Sequence, residues 1–447
     1  AWLGISPDEG VREGGAFAPY KQSERMSMYK QYADQLIESG HAYYAFDTPE
    51  ELDEMRQKLE AARMSAKYDA TSRMSMKNSL SLSADEVQRR IDNGDPYVVR
   101  IKLPRQEEVR FHDEVRGWVV VHTNQMDDKV LLKQDGLPTY HLANVVDDHI
   151  MEISHVIRGE EWLPSAPLHV LLYRYLGWED TMPKFAHLSL LLKPNGKGKL
   201  SKRDGDAGGF PVFPLEWKDP KTGDISSGYR ESGYLPEAVN NMLALLGWHP
   251  SDNQELFALE ELVQAFSLEK VSKSGAKFDV DKARWFNHKY LQERSSEDIA
   301  SLIASDIESR GWNPEATYLH QVIDMVKEKV NFAKDIPNVA NFFFEEPKSY
   351  DEKVVRKKWK NDVPGLISEL GDALAQVEDF NASSIQSAFE AFAASKEKSP
   401  GSIMQPMRLA VSGQAGGPPI FEMLELLGKD TVVRRLKTAS EVIPSGE

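Results

Sequence analysis

The sequence predicts an α/β protein that carries a small α+β unit ahead of its parallel sheet and ends in a long run of helices. Residues 152–192 read strand, helix, strand, an order that implies a βαβ unit and hence a parallel sheet. Apolar runs between Tyr97 and Lys133 read as strands. From about Leu235 onward, apolar residues recur at helical spacing.

Taken in order, the first helix is expected near Glu24–Glu38, with Ser23 as cap, Tyr29, Ala33, Leu36 and Ile37 on one face, and Gly40 as stop. Thr48-Pro49-Glu50-Glu51 is a capping box that opens a charged helix to about Ala62. Residues 66–95 are polar and read as irregular. VVRIKL, GWVVVHT and KVLLK then alternate with short polar turns, so roughly 45–138 forms the small α+β unit. EISHVIR reads as a strand, PSAPLHVLLYRYL as a helix with Ser165 as cap, and HLSLLL as the next strand. Farther on, Ser295 caps a helix with Ile299, Leu302, Ile303 and Ile307 on one face, ended by Gly311. Ile385, Phe389 and Phe392 repeat the pattern, and Pro418-Pro419 start a helix that holds Leu424, Leu426 and Leu427.

The chain has 447 residues, enough for about three domains. No apolar run approaches the roughly 18 residues that span a membrane, so no membrane partner is expected. Asp8, Glu9 and Glu13 stand where a signal peptide would be basic and apolar. Without cysteine, disulfides and thiolate metal sites are excluded, and a reducing cytoplasm is the expected location. The net charge of -16 argues mildly against nucleic acid, but local patches set a contact field. Basic clusters occur at Lys193/Lys197/Lys199/Lys202/Arg203, at Lys270/Lys273/Lys277/Lys282/Arg284 and at Arg356-Lys357-Lys358 with Lys360. Each also reads as a solvated surface run.

Three segments carry chemistry. KPNGKGKLSKRDGD (193–206) follows an apolar strand and concentrates Lys, Gly and Ser. Glycines let a backbone turn around phosphates, and lysines meet the charge that develops as pyrophosphate leaves. The segment is no Walker A motif, and a flexible basic hairpin fits it equally. In GLPTYHLANVVDDH (136–149), Tyr140 and Asn144 share a face if the segment is helical. They suit a polar ligand or a half-buried structural pair. Asp147-Asp148-His149 lacks metal-ligand spacing. In HVIRGEEW (155–162), Arg158 ends a strand where open α/β sheets bind ligands. A guanidinium there can grip a carboxylate through two parallel bonds, or pair with Glu160 or Glu161.

Jointly, TYHLANVVDDH, HVIRGEEW and KLSKR, in this order and spacing, resemble the class I glutamyl-tRNA synthetases of bacterial type. AWLGISPDEG, APYKQSERMSMYKQYADQLIESGHAYYAF, KVSKSGAKFDVDKARWFNHKYL and GSIMQPMRLAVSGQAGGPPIFEMLELLGKDTVVRRL extend the resemblance along nearly the whole chain. The resemblance implies a Rossmann-like catalytic domain in two parts, 1–44 and 139–207. Around it would lie an inserted acceptor-stem-binding α+β domain at 45–138, a stem-contact domain at 208–290 and a helical anticodon-binding domain at 291–447.

Its implied reaction is ATP-dependent: glutamate and ATP, with Mg2+, form glutamyl-adenylate, and the glutamyl group passes to the terminal adenosine of tRNA(Glu). Lys202 then matches the lysine on the ATP phosphates, with Lys199, Ser201 and Arg203 completing a catalytic loop. Leu191 and Leu192 match backbone contacts to adenine. Tyr140, Asn144 and Arg158 match residues that hold L-glutamate, and a cytoplasmic monomer is expected. Three departures stand out. The family's opening strand and H-I-G-H-like motif should precede AWLGISPDEG, yet no His occurs before His41. The resemblance therefore implies half of a nucleotide site and no adenylate formation by this polypeptide as written. Some family members hold zinc through cysteines in the inserted domain, and none is expected here. Residues 208–228 read as an insertion after the loop, packed over it or elaborating the surface. A glutaminyl enzyme would end in β-barrels, a tRNA-modifying glutamyl transferase would lack the anticodon domain, and a non-catalytic RNA-binding fragment remains the reading from another class.

Overall fold

The computed structural model describes residues 1–201, 204–205, 208–251, 253–360 and 362–444. The chain forms two compact units, one of residues 1–204 with 243–278, the other of 205–242 with 279–447.

In the first unit, α1 (Met26–Glu38) buries Tyr29, Ala33 and Leu36. Ser23 does not cap it. That serine sits in a 3-10 turn, Gln22–Glu24, and the N-cap residue is Arg25, whose side chain points elsewhere. The C-terminus closes as the glycine predicts: Gly40 takes φ +76, and His41 N–H reaches back to Leu36 O at 2.7 Å. Next come β1 (Ala42–Ala45) and α2 (Pro49–Ala61), whose Thr48–Glu51 capping box is present in full. The segment expected to be irregular contains α3 (Ala84–Asp92), capped by Ser83 and joined by Glu86 to Arg89 and Arg90. Its apolar face is too narrow to announce a helix by periodicity.

The predicted strands between Tyr97 and Lys133 divide between two sheets. With β1, strands β2 (Val98–Ile101) and β5 (Val130–Leu132) make a three-stranded sheet in the order β1-β2-β5. Between them, β3 (Glu108–Asp113) and β4 (Gly117–His122) form an antiparallel hairpin that joins the parallel sheet instead. That sheet has the order β4-β3-β7-β6, with β6 (His155–Gly159) and β7 (Lys184–Leu188) parallel. Helix α4 (Tyr140–Ile150) precedes β6, and α5 (Ala166–Tyr175) makes the expected crossover to β7. Ser165 makes no capping bond to α5. The second strand of the βαβ unit begins three residues earlier than HLSLLL implies. The chain then breaks, and Leu191–Leu192 form a separate short strand, β8, parallel to β9 (Ala276–Lys277). Phe185, Ala186, Leu171, Leu172, Val145 and Val146 are all buried in this unit. Burying each such large aliphatic or aromatic side chain stabilises by about 1.5–3 kcal/mol.

In the second unit, residues 208–228 include a short hairpin pairing Trp217–Lys218 with Ile225–Ser226. Phe210 is buried in this stretch while Ile225 is exposed. Helix α6 (Pro236–Ala244) is tied to α7 (Val280–Glu293) through Asn287, which accepts Leu235 N–H at 2.7 Å. Ser295 caps α8 (Ser296–Ser309) as expected; Ile299, Ile303 and Ile307 are buried, but Leu302 faces out. Helix follows helix to the end, where Val363–Ala375 packs against Lys429–Val442, with Ile367, Leu370 and Leu374 buried on one helix and Val432 and Leu436 on the other. Arg435 is buried there and donates to the carbonyls of Phe342, Val411 and Glu345.

Candidate active site

Arg158 lies one residue from the C-terminal end of β6, directly across from His187 on β7. Parallel neighbours in register put both side chains on one face of the sheet. Helix α4 lies alongside, with Tyr140 in its first turn and Asn144 one turn on, as their spacing predicts. The structure brings the three together. Arg158 Nη1 donates to Tyr140 Oη at 3.0 Å and to Asn144 Oδ1 at 3.3 Å. Its Nε donates to His187 Nε2 at 3.1 Å, and His169 Nδ1 lies 3.4 Å from Nη1. Neither glutamate of the GEEW motif touches it. Glu160 pairs with Arg116, and Glu161 pairs with Lys199 at 2.8 Å.

The sequence reading missed five residues around this arginine. His169 is fully buried on α5, with His141 Nδ1 3.2 Å from its Nε2. Burial lowers His141 to about 4, helped by Lys129 and Arg158; burial, then Arg158, pushes His169 well below the ordinary histidine value. Both rings are therefore neutral neighbours of a permanent cation. Asp148 bonds Asn144 Nδ2 at 2.9 Å, and burial pushes its carboxyl up to about 7 against the pull of Arg158. Asp113 and His187 are fully buried, joined at 2.6 Å. Asp147 and His149 look away: Asp147 takes Arg25 and Tyr29 at 2.8 Å, and His149 meets Thr181 and stacks on Trp178.

Trp162, half-exposed, packs on Tyr140 with ring centroids 4.3 Å apart. Beside this pair opens a cavity of about 520 Å³ whose lining includes Tyr68, Arg56, Arg100 and Lys129. Arg100 stacks over Tyr68 at 4.1 Å.

The loop after β8 is held by its own charges. Lys193 pairs with Asp204 at 2.8 Å, and the same carboxylate accepts the amide and hydroxyl of Ser201. Leu191 O accepts Leu200 N–H at 2.7 Å, and Leu192 O accepts Phe278 N–H at 3.1 Å, so both carbonyls expected near adenine also fix the loop's root. Lys202 and Arg203 lie outside the described residues. Lys199, through Glu161, is the described member of the loop tied to the Arg158 segment.

A family model for the catalytic domain of class I tRNA synthetases (E and Q) matches residues 1–285, and one for an anticodon-binding domain matches residues 287–440. Glutamate–tRNA ligase of Cytophaga hutchinsonii is 53% identical over 441 residues, which is 98% of this chain and 85% of that protein. The ligase of Parabacteroides distasonis is 54% identical, covering 99% of this chain and 87% of its own. Among solved structures, a glutamate tRNA ligase from Elizabethkingia meningosepticum in complex with its amino acid matches at a TM-score of 0.95 and 46% identity, over 99% of this chain and 88% of that one. With both family domains in sequence and this likeness running end to end, the chain belongs to the bacterial-type glutamate–tRNA ligases, class I aminoacyl-tRNA synthetases.

Proposed function

We propose that Arg158, framed by Tyr140 and Asn144, holds the side-chain carboxylate of L-glutamate while the loop from Lys193 to Asp206 holds the phosphates of ATP. The observation that supports this most is the company Arg158 keeps. Its hydrogen-bond partners are a phenol, an amide oxygen and two imidazoles, and among the described residues no carboxylate is bonded to it. A half-buried cation in neutral surroundings favours a carboxylate ligand; glutamine would bring a dipole where a charge is needed.

ATP enters as its Mg2+ complex. Lys199 and Lys193, now on Glu161 and Asp204, are cations that phosphate oxygens compete for. Lys202, Ser201 and Arg203 complete the loop in this reading, and the backbone of Leu191 and Leu192 borders the adenine. The glutamate α-carboxylate oxygen attacks the α-phosphorus and pyrophosphate leaves; a hydroxyl of the terminal adenosine of tRNA(Glu) then attacks the acyl carbon of the adenylate, forming the ester and releasing AMP. The aromatic and basic cavity beside Tyr140 and Trp162 suits an unstacked 3′ nucleotide. The functional division follows: catalytic parts at 1–44 and 139–207, acceptor binding at 45–138, stem contact at 208–290 and anticodon binding at 291–447. The match of the anticodon model over 287–440 supports the last. The enzyme acts in this reading as a cytoplasmic monomer.

Charging of tRNA(Glu) by the unaltered protein is measured first and decides the expectation that no adenylate forms; Arg158→Gln then tests the assignment. Removing the charged partner of a buried carboxylate costs about 2–4 kcal/mol, so KM for glutamate should rise on the order of 30- to 1,000-fold in tRNA charging. An unchanged KM overturns it.

A further inference from the structure

We propose that Asp113 and His187 are positioning residues for amino-acid selection: Asp113 fixes the tautomer of His187, and His187 fixes the plane of the Arg158 guanidinium. This rests on the reading that Arg158 holds the glutamate carboxylate.

The geometry determines where each proton lies. Arg158 Nε–H can only donate, so His187 Nε2, 3.1 Å away, must present its lone pair. The ring proton is then on Nδ1, aimed at Asp113 Oδ2 at 2.6 Å. Asp113 is itself immobile. Its carboxylate accepts the amides of Val115 at 3.0 Å, Arg116 at 2.8 Å and His187 at 3.2 Å, all bonds an acceptor alone can receive. Burial pushes this carboxyl up, but the bonds from His187 and from those amides outweigh it and hold it below the usual carboxylate range.

The three strands explain how the chain builds this line. Asp113 ends β3 beside Phe185 of β7, and His187 lies two residues farther along β7, in register with Arg158 of β6. One polar residue from each of three adjacent strands thus lies in a row across the sheet. Asp113 and His187 are fully buried, on strands whose Phe111, Phe185 and Ala186 are buried as well. A buried carboxylate and imidazole that touched only each other would be a costly way to fill a core. The amides at the β3–β4 turn account for Asp113, and the guanidinium is the partner that accounts for His187.

The relay has two effects on the site. It takes Nε–H out of play, so the ligand meets the Nη edge, already oriented by Tyr140 and Asn144. It also places a buried carboxylate one imidazole away from Arg158 instead of against it. The cation is thereby held in its plane by a neutral contact, and its charge is left for the substrate.

Asp113→Asn tests this in the full chain. The new side chain's Oδ1 still accepts the backbone amides, while its Nδ2–H donates to His187 Nδ1 and drives the ring proton to Nε2, against Arg158. KM for glutamate should rise at least about tenfold, and the preference for glutamate over glutamine should fall, with KM for ATP held within about twofold. In Asp113→Asn/His187→Gln the glutamine amide can turn its oxygen to Arg158 whatever stands at position 113, and the glutamate KM should recover most of the loss. His187→Leu gives an independent reading should the Asp113→Asn substitution disturb folding: it removes the acceptor, and should raise the glutamate KM where His187→Gln does not. A glutamate KM unmoved in Asp113→Asn or His187→Leu, an equal rise in the ATP KM, or a double variant as impaired as Asp113→Asn would each overturn the relay. If Arg158→Gln is impaired and these variants are not, the relay alone falls; if Arg158→Gln is unaffected, the reading beneath it falls too.

Discussion

At the scale of the residue, the site is a problem in where to keep negative charge. Asp148 is bonded to Asn144, itself a partner of Arg158, and burial raises its carboxyl to about 7. Its pKa in the unfolded chain is about 3.9. Because the folded value is the higher one, the stability it contributes is full below about pH 4 and is lost as pH rises through about 7. Ionisation also sets an anion near Arg158 that competes with the ligand. KM for glutamate should therefore rise from about pH 6 to about pH 8, and Asp148→Asn should flatten both that profile and the fall in thermal midpoint over the same range. His141, at about 4, and His169, held by burial well below the ordinary histidine value, stay neutral throughout. A pH profile that Asp148→Asn leaves unchanged would assign the titration elsewhere. That Tyr140, Asn144 and Arg158 meet was expected from the family resemblance; their spacing alone also allowed a structural pair and an ion pair with Glu160 or Glu161. Asp113, His169 and His187 were not legible, since the two histidines are lone polar residues in apolar runs and Asp113 stands among other charged residues at a turn. Only the fold reveals that all three converge on Arg158. The one signal was the polar end of EVRFHD and the single imidazole in KFAHL, residues that an ordinary core strand would not bury.

At the scale of the element, local chemistry told where some helices begin and not which sheet a strand enters; Thr48 and Ser295 cap, Ser23 and Ser165 do not. The first two do so as their sequences require, because a cap is decided within four residues. Ser23 does not, because Arg25 is drawn to Phe17 O, Pro19 O and Asp147, and the helix starts after it. The hairpin β3–β4 reads like its neighbours β2 and β5, and alternation alone cannot say which sheet a strand enters. The β8–β9 pair offers an element-level test. A Cβ built on Gly275 would lie 2.8 Å from Leu192 Cγ and 3.1 Å from Leu190 O. Gly275→Ala should force β9 off β8, cost about 1–3 kcal/mol in urea unfolding and raise KM for ATP more than KM for glutamate. Equal KM values in variant and parent would mean that the root of the loop does not depend on this contact.

At the scale of the molecule, a chain of net charge -16 that works on a polyanion must rely on local basic surface. Its affinity for tRNA should fall linearly on a log–log plot against salt, with a slope of roughly -0.7 to -0.9 per phosphate contacted. A flat plot would contradict lysine and arginine contacts as its source. That a catalytic domain precedes an anticodon-binding domain was legible from motifs spread along the chain, but the return of residues 243–278 to the first unit was not, because it depends on pairing between segments about 85 residues apart, beyond the reach of any local rule. That return bears on how the protein is made and how it is cut. A ribosome releases residues in order, so the first unit stays unfinished until residue 278 has emerged, when 205–242 of the second is already waiting outside the tunnel. Neither unit can be harvested by a single cleavage. A protease that nicks the chain at Gly208 leaves Ala276 and Lys277 still laced to Leu191 and Leu192, and the severed halves part only when that seam melts.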